Sequence, residues 1–361
     1  MNYTKHSSYG KAILLTLSFA AVATVALLAS ACNRTGQQPV RINGEAQGTY
    51  YSIIYYDTLQ RDFKTAIDSL LTDFDQTASL WVDSSLLRRV NDNRDSAVND
   101  LFATLTELSV QMHTFTNGAF DCTVGKLVNA WGFGFSKRQD MDSSTIDSLH
   151  RYVGLQPTIV RLSDGQTVVR KPHSETAFDF NAIAQGYATD LLSRFLELQG
   201  VNSYIVDIGG EVYARGCKPD GSAWSVGIER PAANRYSSPE IETSIELRDK
   251  AVVTSGSYRK YYEKDGLRYS HTIDPATGRP VEHNLLSVTV IDTAAWRADA
   301  LATAFMVMGL DKARQFIANH PDDSGTQAVF FIYSDGDGYK TYATQKFNEM
   351  THRSEREAKG K

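Results

Sequence analysis

The chain has 361 residues, 42% of them hydrophobic and 22% charged, with a formal net charge of −5. This is the balance of a globular protein with enough chain for a large core, in one large domain or two small ones. The mildly acidic charge argues against nucleic-acid binding, which needs a basic face, and no Cys/His cluster has zinc spacing.

Residues 1–31 read as a targeting segment and are set apart from the fold. Lys5 and Lys11 precede the apolar run AILLTLSFAAVATVALLA, which stops at Ser30-Ala31-Cys32. A charged start, an apolar stretch, small residues and then a cysteine have the layout of a bacterial lipoprotein signal, with the lipid on Cys32. An uncleaved anchor is the alternative, because the run is nearly long enough to span a bilayer. Either way the body is expected outside the cytoplasm, held at the membrane and facing the periplasm. Residues 32–42 form a polar tether, 43–346 the body and 347–361 a charged tail. Cys122 and Cys217 could pair in an oxidising compartment or stay as two thiols.

Within the body, GTYYSIIYY (48–56) is β-branched and aromatic and predicts a strand. Phe63, Ile67, Leu70, Leu71 and Phe74 recur at helical spacing, and the helix they predict ends near Ala78. A second helix carries Leu101, Leu105, Leu108, Met112 and Phe115, with Asn99 or Asp100 as its cap and Gly118 as its stop. GAFDCTVGKLVNAWGFG (118–134) reads as a turn beside a strand or helix start. A helix is expected at 144–152, then a hairpin turning at Asp164-Gly165. Residues 178–200 predict a helix, followed by the buried strand SYIVDI, broken at Gly209-Gly210 and resumed as EVYARG. Further strands are expected at 224–229, 244–247, 251–254, 268–273 and 285–291. Two helices, 297–308 and onward to about 319, precede strands near 328–333 and 339–343. Helices interspersed with hairpins favour an α+β fold in one intertwined domain over a doubly wound sheet.

Polar residues stand out where apolar packing is expected. Asp299 and Thr303 lie four apart on the helix RADALATAFMVMG, so both oxygens share a side. Hard oxygens at that spacing suit Mg²⁺, although Asp-x₃-Thr on a helix is usually a plain hydrogen-bonded pair. The helix is otherwise apolar, and a buried carboxylate needs a partner or a metal. His271, at a strand end before an Asp-Pro turn, suits acid/base work or phosphate binding; a structural histidine is the bland reading. Thr254-Ser255-Gly256 reads as a turn able to present N–H groups to an anion, or as a turn and nothing more. Asp207-Ile208-Gly209-Gly210 gives a close backbone approach after a strand, which could admit a ligand or merely mark a bulge. There is no Walker loop, GxGxxG or Gly-x-Ser-x-Gly elbow.

The order of these blocks along the chain is more specific than any one of them. GTYYSIIYY, GAFDCTVGKLV, DFNAIAQGYATDLL, VDIGGEVYARG, VVTSGSYRKY, YSHTIDPATGRPV and RADALATAFMVMG, spread over 48–309, resemble the ApbE family of FAD:protein FMN transferases. The resemblance implies an α+β fold related to the T-fold, with Mg²⁺ as cofactor and FAD as substrate. It implies transfer of FMN to a Thr or Ser hydroxyl of a partner flavoprotein, with release of AMP. The metal ligands would be the Ala182 carbonyl, Asp299 and Thr303. Flavin and adenylate contacts would fall on Gln47, Trp81, Ala119, Phe120, Asp121, Asp179, Gln185 and Ile273, with His271 as base. Gln47 stands where the family often has Met, and Gln185 where Lys or Glu is usual. Acceptors would be subunits of membrane redox complexes of the Rnf and Nqr type, which suits a lipid-tethered enzyme at the inner membrane. The same residues leave room for an FAD pyrophosphatase using water, or for a lipoprotein that binds FAD without turnover.

Overall fold

The structure is a computed structural model and describes residues 38–154, 156–231, 240–257, 261–264, 267–336 and 338–351. The expected signal segment and Cys32 lie outside the described residues, as does most of the charged tail. The chain begins with a hairpin of β1 (Val40–Ala46) and β2 (Thr49–Tyr55). Its two-residue turn, Gln47-Gly48, has φ of 54° and 73°, the positive pair that a tight hairpin requires. Five helices follow: α1 (Lys64–Ala78), α2 (Leu86–Asn91), α3 (Asp100–Phe115), α4 (Gly125–Ala130) and α5 (Ser143–His150). Asn99 caps α3 by accepting from Phe102 N at 2.9 Å. Then come β3 (Thr158–Arg161), β4 (Thr167–Arg170), α6 (Ala184–Leu198), β5 (Tyr204–Ile208) and β6 (Glu211–Arg215). Next are β7 (Trp224–Glu229), β8 (Ile241–Leu247), β9 (Lys250–Gly256), β10 (Tyr261–Lys264) and β11 (Leu267–Ser270). Short strands β12 (Ile273–Asp274) and β13 (Arg279–Pro280) lead to β14 (Leu285–Asp292). The order closes with α7 (Ala295–Asn319), α8 (Ser324–Gln327), β15 (Val329–Asp335), β16 (Gly338–Ala343) and α9 (Gln345–Glu349).

Eight strands form one sheet in the order β1-β2-β5-β6-β9-β14-β15-β16, antiparallel at every pairing. Alternation decides what each face carries. Tyr51, Ile53 and Tyr55 of β2, with Tyr204, Val206 and Ile208 of β5, point into the larger core. There they meet Ile67, Leu71 and Phe74 of α1, Leu192 of α6 and Leu301 and Phe305 of α7. On the opposite face Val212, Val252, Ile291 and Phe330 are covered by Trp224 and Leu247 of the β7–β8 hairpin and by Phe347 of α9. β14 is buried along nearly its whole length because it serves both cores. This is the α+β architecture expected from the sequence. A third, smaller cluster joins Leu127 and Trp131 at α4 to Ile146 of α5 and Ile273 of β12. The Trp131 indole N–H fastens it by donating to Gly278 O at 2.9 Å.

Four expectations need adjusting. β1 starts at Val40, inside the expected tether, since Ile42 pairs opposite Ile53 and is buried. The ordered body also runs past 346, because Phe347 is only 1% exposed and stacks on Phe330 at 4.9 Å. The helix expected from 178 begins at Ala184. Asn91 holds the Phe178 backbone at both ends, at 2.7 and 2.8 Å, and Asp179 N donates to Cys122 O at 2.7 Å, which pulls this stretch out of helical geometry. Thr254-Ser255-Gly256 is the end of strand β9, not a turn. The expected break between the two late helices does occur, at Gly309 with φ 73°.

Candidate functional site

The centre of the site is where the first turn of α6 meets α7. Gly186 is on the first turn of α6, where a backbone N–H has no acceptor within its own helix. It donates across the interface to Asp299 Oδ2 at 3.1 Å. Only glycine allows this approach, since a Cβ at 186 would lie 2.5 Å from Ala295 O and 2.8 Å from Asp299 Cβ. Asp299 is 4% exposed, and burial pushes its carboxyl up to about 7; the Gly186 N–H works against that shift and the nearby Asp190 charge adds to it. One turn further along α7, Thr303 Oγ1 lies 3.4 Å from Ser255 Oγ of β9. Asp190, a turn beyond Gly186, accepts from Ala295 N and Trp296 N at 2.9 Å each.

A cleft adjoins this centre and brings three expected residues together: Gln47 from the β1–β2 turn, Trp81 after α1, and Gln185 on the first turn of α6. Asp75, Ser79 and Asn181 also line it. Gln185 Nε2 donates to Ile208 O at 2.8 Å, which ties the helix to the end of β5. Gln47 Nε2 is buried with no hydrogen-bond partner among the described residues, and so has a donor to offer. Trp81 is 59% exposed at the rim. Burial raises the Asp75 carboxyl, partly offset by the backbone N–H of Gln47. Gly209, with φ 61°, packs against the Gln185 side chain; a Cβ there would lie 2.3 Å from Gln185 Nε2.

The loop carrying Ala119, Phe120 and Asp121 runs beside the approach to α6, joined to it by the Asp179 N to Cys122 O bond. Asp179 is 6% exposed and pushed up to about 6 by burial; its Oδ1 accepts from Asn181 N at 2.8 Å. Phe120 is in the core and Ala119 packs against it. The Asp121 carboxylate is held inside the protein: Oδ1 accepts from Thr123 N and Oγ1 at 2.7 and 2.6 Å, and Oδ2 lies 3.1 Å from His113 Nδ1. Ile273 is buried in the third cluster, and His271, two residues before it, is half-buried with its ring 6.4 Å from that of Phe133.

Four of the expected residues thus meet at the first turn of α6 and α7 or in the cleft beside it, and Ala182 and Thr303 adjoin the same junction. The sequence reading missed Gly186, Asp190 and Asp75, and had singled out Ser255 only within an expected turn. A glycine inside a helical pattern is a sign of close approach and could have pointed to Gly186; nothing local singles out Asp190 or Asp75. Among the described residues no three His, Cys, Asp or Glu side chains converge on one point. A cation at the junction would therefore rest on one carboxylate with hydroxyl and carbonyl oxygens, a hard donor set that fits Mg²⁺.

Comparison with known proteins gives a consistent picture. A profile described as the ApbE family matches residues 47–330. A FAD:protein FMN transferase of Vibrio cholerae is 35% identical over 336 residues, covering 91% of this chain and 96% of that protein. One from Escherichia coli K12 is 35% identical over 317 residues, or 86% and 88%. Among solved structures, the apo flavinyl transferase ApbE of Pseudomonas stutzeri superposes with a TM-score of 0.74 at 33% identity, covering 87% of this chain and 97% of that one.

Proposed function

The chain belongs to the ApbE family, and from that premise we propose that it is a FAD:protein FMN transferase that moves FMN from FAD to a Thr or Ser hydroxyl of a partner flavoprotein and releases AMP. The observation that supports this most directly is the contact of the Gly186 N–H with Asp299, which with Thr303 one turn on sets a buried carboxylate and a hydroxyl at one helix junction, two residues along from Ala182 where α6 begins. Bound through Ala182, Asp299 and Thr303, Mg²⁺ would neutralise the pyrophosphate charge against which the nucleophile must approach.

The protein's own residues do the rest. Gln47, Trp81 and Gln185 hold the nucleotide in the cleft beside the junction, with the unpaired Gln47 Nε2 free to donate to it. By the family resemblance Ala119, Phe120, Asp121, Asp179 and Ile273 would supply the remaining flavin and adenylate contacts, although none of them lines this cleft. The acceptor hydroxyl oxygen forms a bond to the FMN-side phosphorus while that phosphorus loses the bridging oxygen, which leaves on AMP. His271 takes the hydroxyl proton. A lipid on Cys32 would hold the body against the outer face of the inner membrane, within reach of acceptor subunits of Rnf- and Nqr-type complexes.

The test is incubation of the full-length chain with FAD, Mg²⁺ and a candidate acceptor domain. AMP release is followed beside flavin fluorescence of the denatured acceptor band. AMP with a fluorescent band is the expected result. AMP with free FMN and dark bands for every acceptor would instead mean hydrolysis by water, and bound FAD with no AMP would mean a binding protein without turnover.

A further inference from the structure

Helix α7 carries Asp299 and Thr303 but has no cap of its own. Its N-cap residue is Ala294, whose side chain can accept nothing, and its first turn has no acid. The first N–H groups of a helix need acceptors, the more so when the helix start is buried. Here they are found across the helix interface. Asp190 Oδ1 accepts from Ala295 N and Oδ2 from Trp296 N, both at 2.9 Å, so each oxygen is committed to one donor. Gly186 is one turn earlier on the same face of α6, and its N–H holds Asp299 Oδ2.

We propose that Gly186 and Asp190 form a two-point clamp in which Asp190 is a positioning residue: it fixes the register and rotation of α7 on α6 and so aims Asp299 and Thr303 at the metal. Two contacts on one helix, to residues 295–296 and to 299 on the other, remove both sliding and rolling between them. The missing Cβ at 186 lets the helices close to backbone contact, and the two carboxylate bonds set where along α7 that contact falls. Asp190 itself touches no reacting atom. The inference rests on the metal reading above, and the experiment separates the two.

The probe is Mn²⁺ titrated into the full-length chain, read from the EPR signal of the free ion, with the melting temperature taken in parallel. Asp190→Asn keeps the shape but offers an amide to one of the two N–H donors. Asp190→Glu keeps the charge and displaces both oxygens by a methylene. Both are expected to weaken Mn²⁺ binding about 10–100-fold, the usual cost of losing an outer support of a metal ligand. The Mg²⁺ concentration for half-maximal transfer should rise in step, while the KM for FAD holds. Asp57→Asn is the control for destabilisation alone: Asp57 is buried, pairs with Arg61 at 2.8 Å, and follows β2 at the end away from Gln47. It should lower the melting temperature and leave Mn²⁺ affinity unchanged. If Asp190→Asn destabilises the protein yet binds Mn²⁺ like wild type, the clamp is structural only and the inference is overturned. Weak binding by Asp190→Asn with full binding by Asp190→Glu also overturns it, since charge and not position would be at work. If Asp299→Asn binds Mn²⁺ as tightly as wild type, the metal reading falls and takes the clamp's role with it.

Discussion

The two faces of the eight-stranded sheet are built to different rules. The face covered by the β7–β8 hairpin and α9 closes over Val212, Trp224, Leu247, Phe330 and Phe347, and no expected site residue lies in that cluster. The helical face has a larger apolar core, yet along its rim Asp299 and Asp179 are almost fully buried, with Asp190 half-buried beside them. Burying a carboxylate costs free energy unless hydrogen bonds or a cation meet it. Each of the three has backbone N–H donors, and each is still pushed up to between about 6 and about 7. One face is organised for stability; the other gives some of it up to hold charge ready for a ligand.

That contrast can be tested by moving stability and activity separately. The largest effect is expected from Phe347→Ala, which removes a ring stacked on Phe330 and should cost about 3–5 kcal/mol in denaturant unfolding. Turnover per folded molecule should be unchanged; a drop would mean that the two faces are coupled through β14. Asp299→Asn should do the reverse, cutting transfer by more than about a hundredfold, or about 2.7 kcal/mol, while the fold persists. AMP release at fixed FAD checks this.

Asp179→Asn comes next. Because burial raises the folded pKa of Asp179 to about 6 from an ordinary 3.8, the ligand-free protein loses stability as pH climbs between those values. The asparagine variant should lack that slope and be on the order of 2 kcal/mol more stable than wild type at pH 8. A less stable variant would mean that the charge is already compensated in the ligand-free protein. The smallest effect is expected at His113, raised above its ordinary 6.5 by the Asp121 carboxylate, with burial opposing. Its contribution is complete below pH 6.5 and is lost as pH rises through the folded value. His113→Gln should flatten that part of the stability profile, as pH-resolved thermal melts would show.

The sheet-forming part of the chain was largely legible in the sequence, because the β-branched and aromatic run 48–56 and the paired glycines at 209–210 are local signals. The site was legible where polar residues interrupt an apolar pattern, as Asp299 does on α7. It was not legible where a partner far along the chain decides the geometry. Phe178 reads as helical, yet Asn91 fixes its backbone in another conformation. Asp190 looks like an ordinary polar position on α6, and only the helix 105 residues later gives it a task. Val40 and Ile42 are two apolar residues in a mostly polar stretch, too little to announce a strand before Ile53 pairs with Ile42.

The strand order β1-β2-β5-β6-β9-β14-β15-β16 has a consequence for how the molecule comes to exist. Gln47 arrives with the first hairpin and Asp299 near the end of the chain, so the site cannot assemble from any early portion of it. Closing loops of such length before their contacts pay back makes folding slow, in the range of milliseconds to seconds. A growing chain that stops short of residue 295 lacks α7 altogether. Without α7 there is no Asp299 or Thr303, so the junction proposed to hold the metal is completed only when the last fifth of the chain docks on α6.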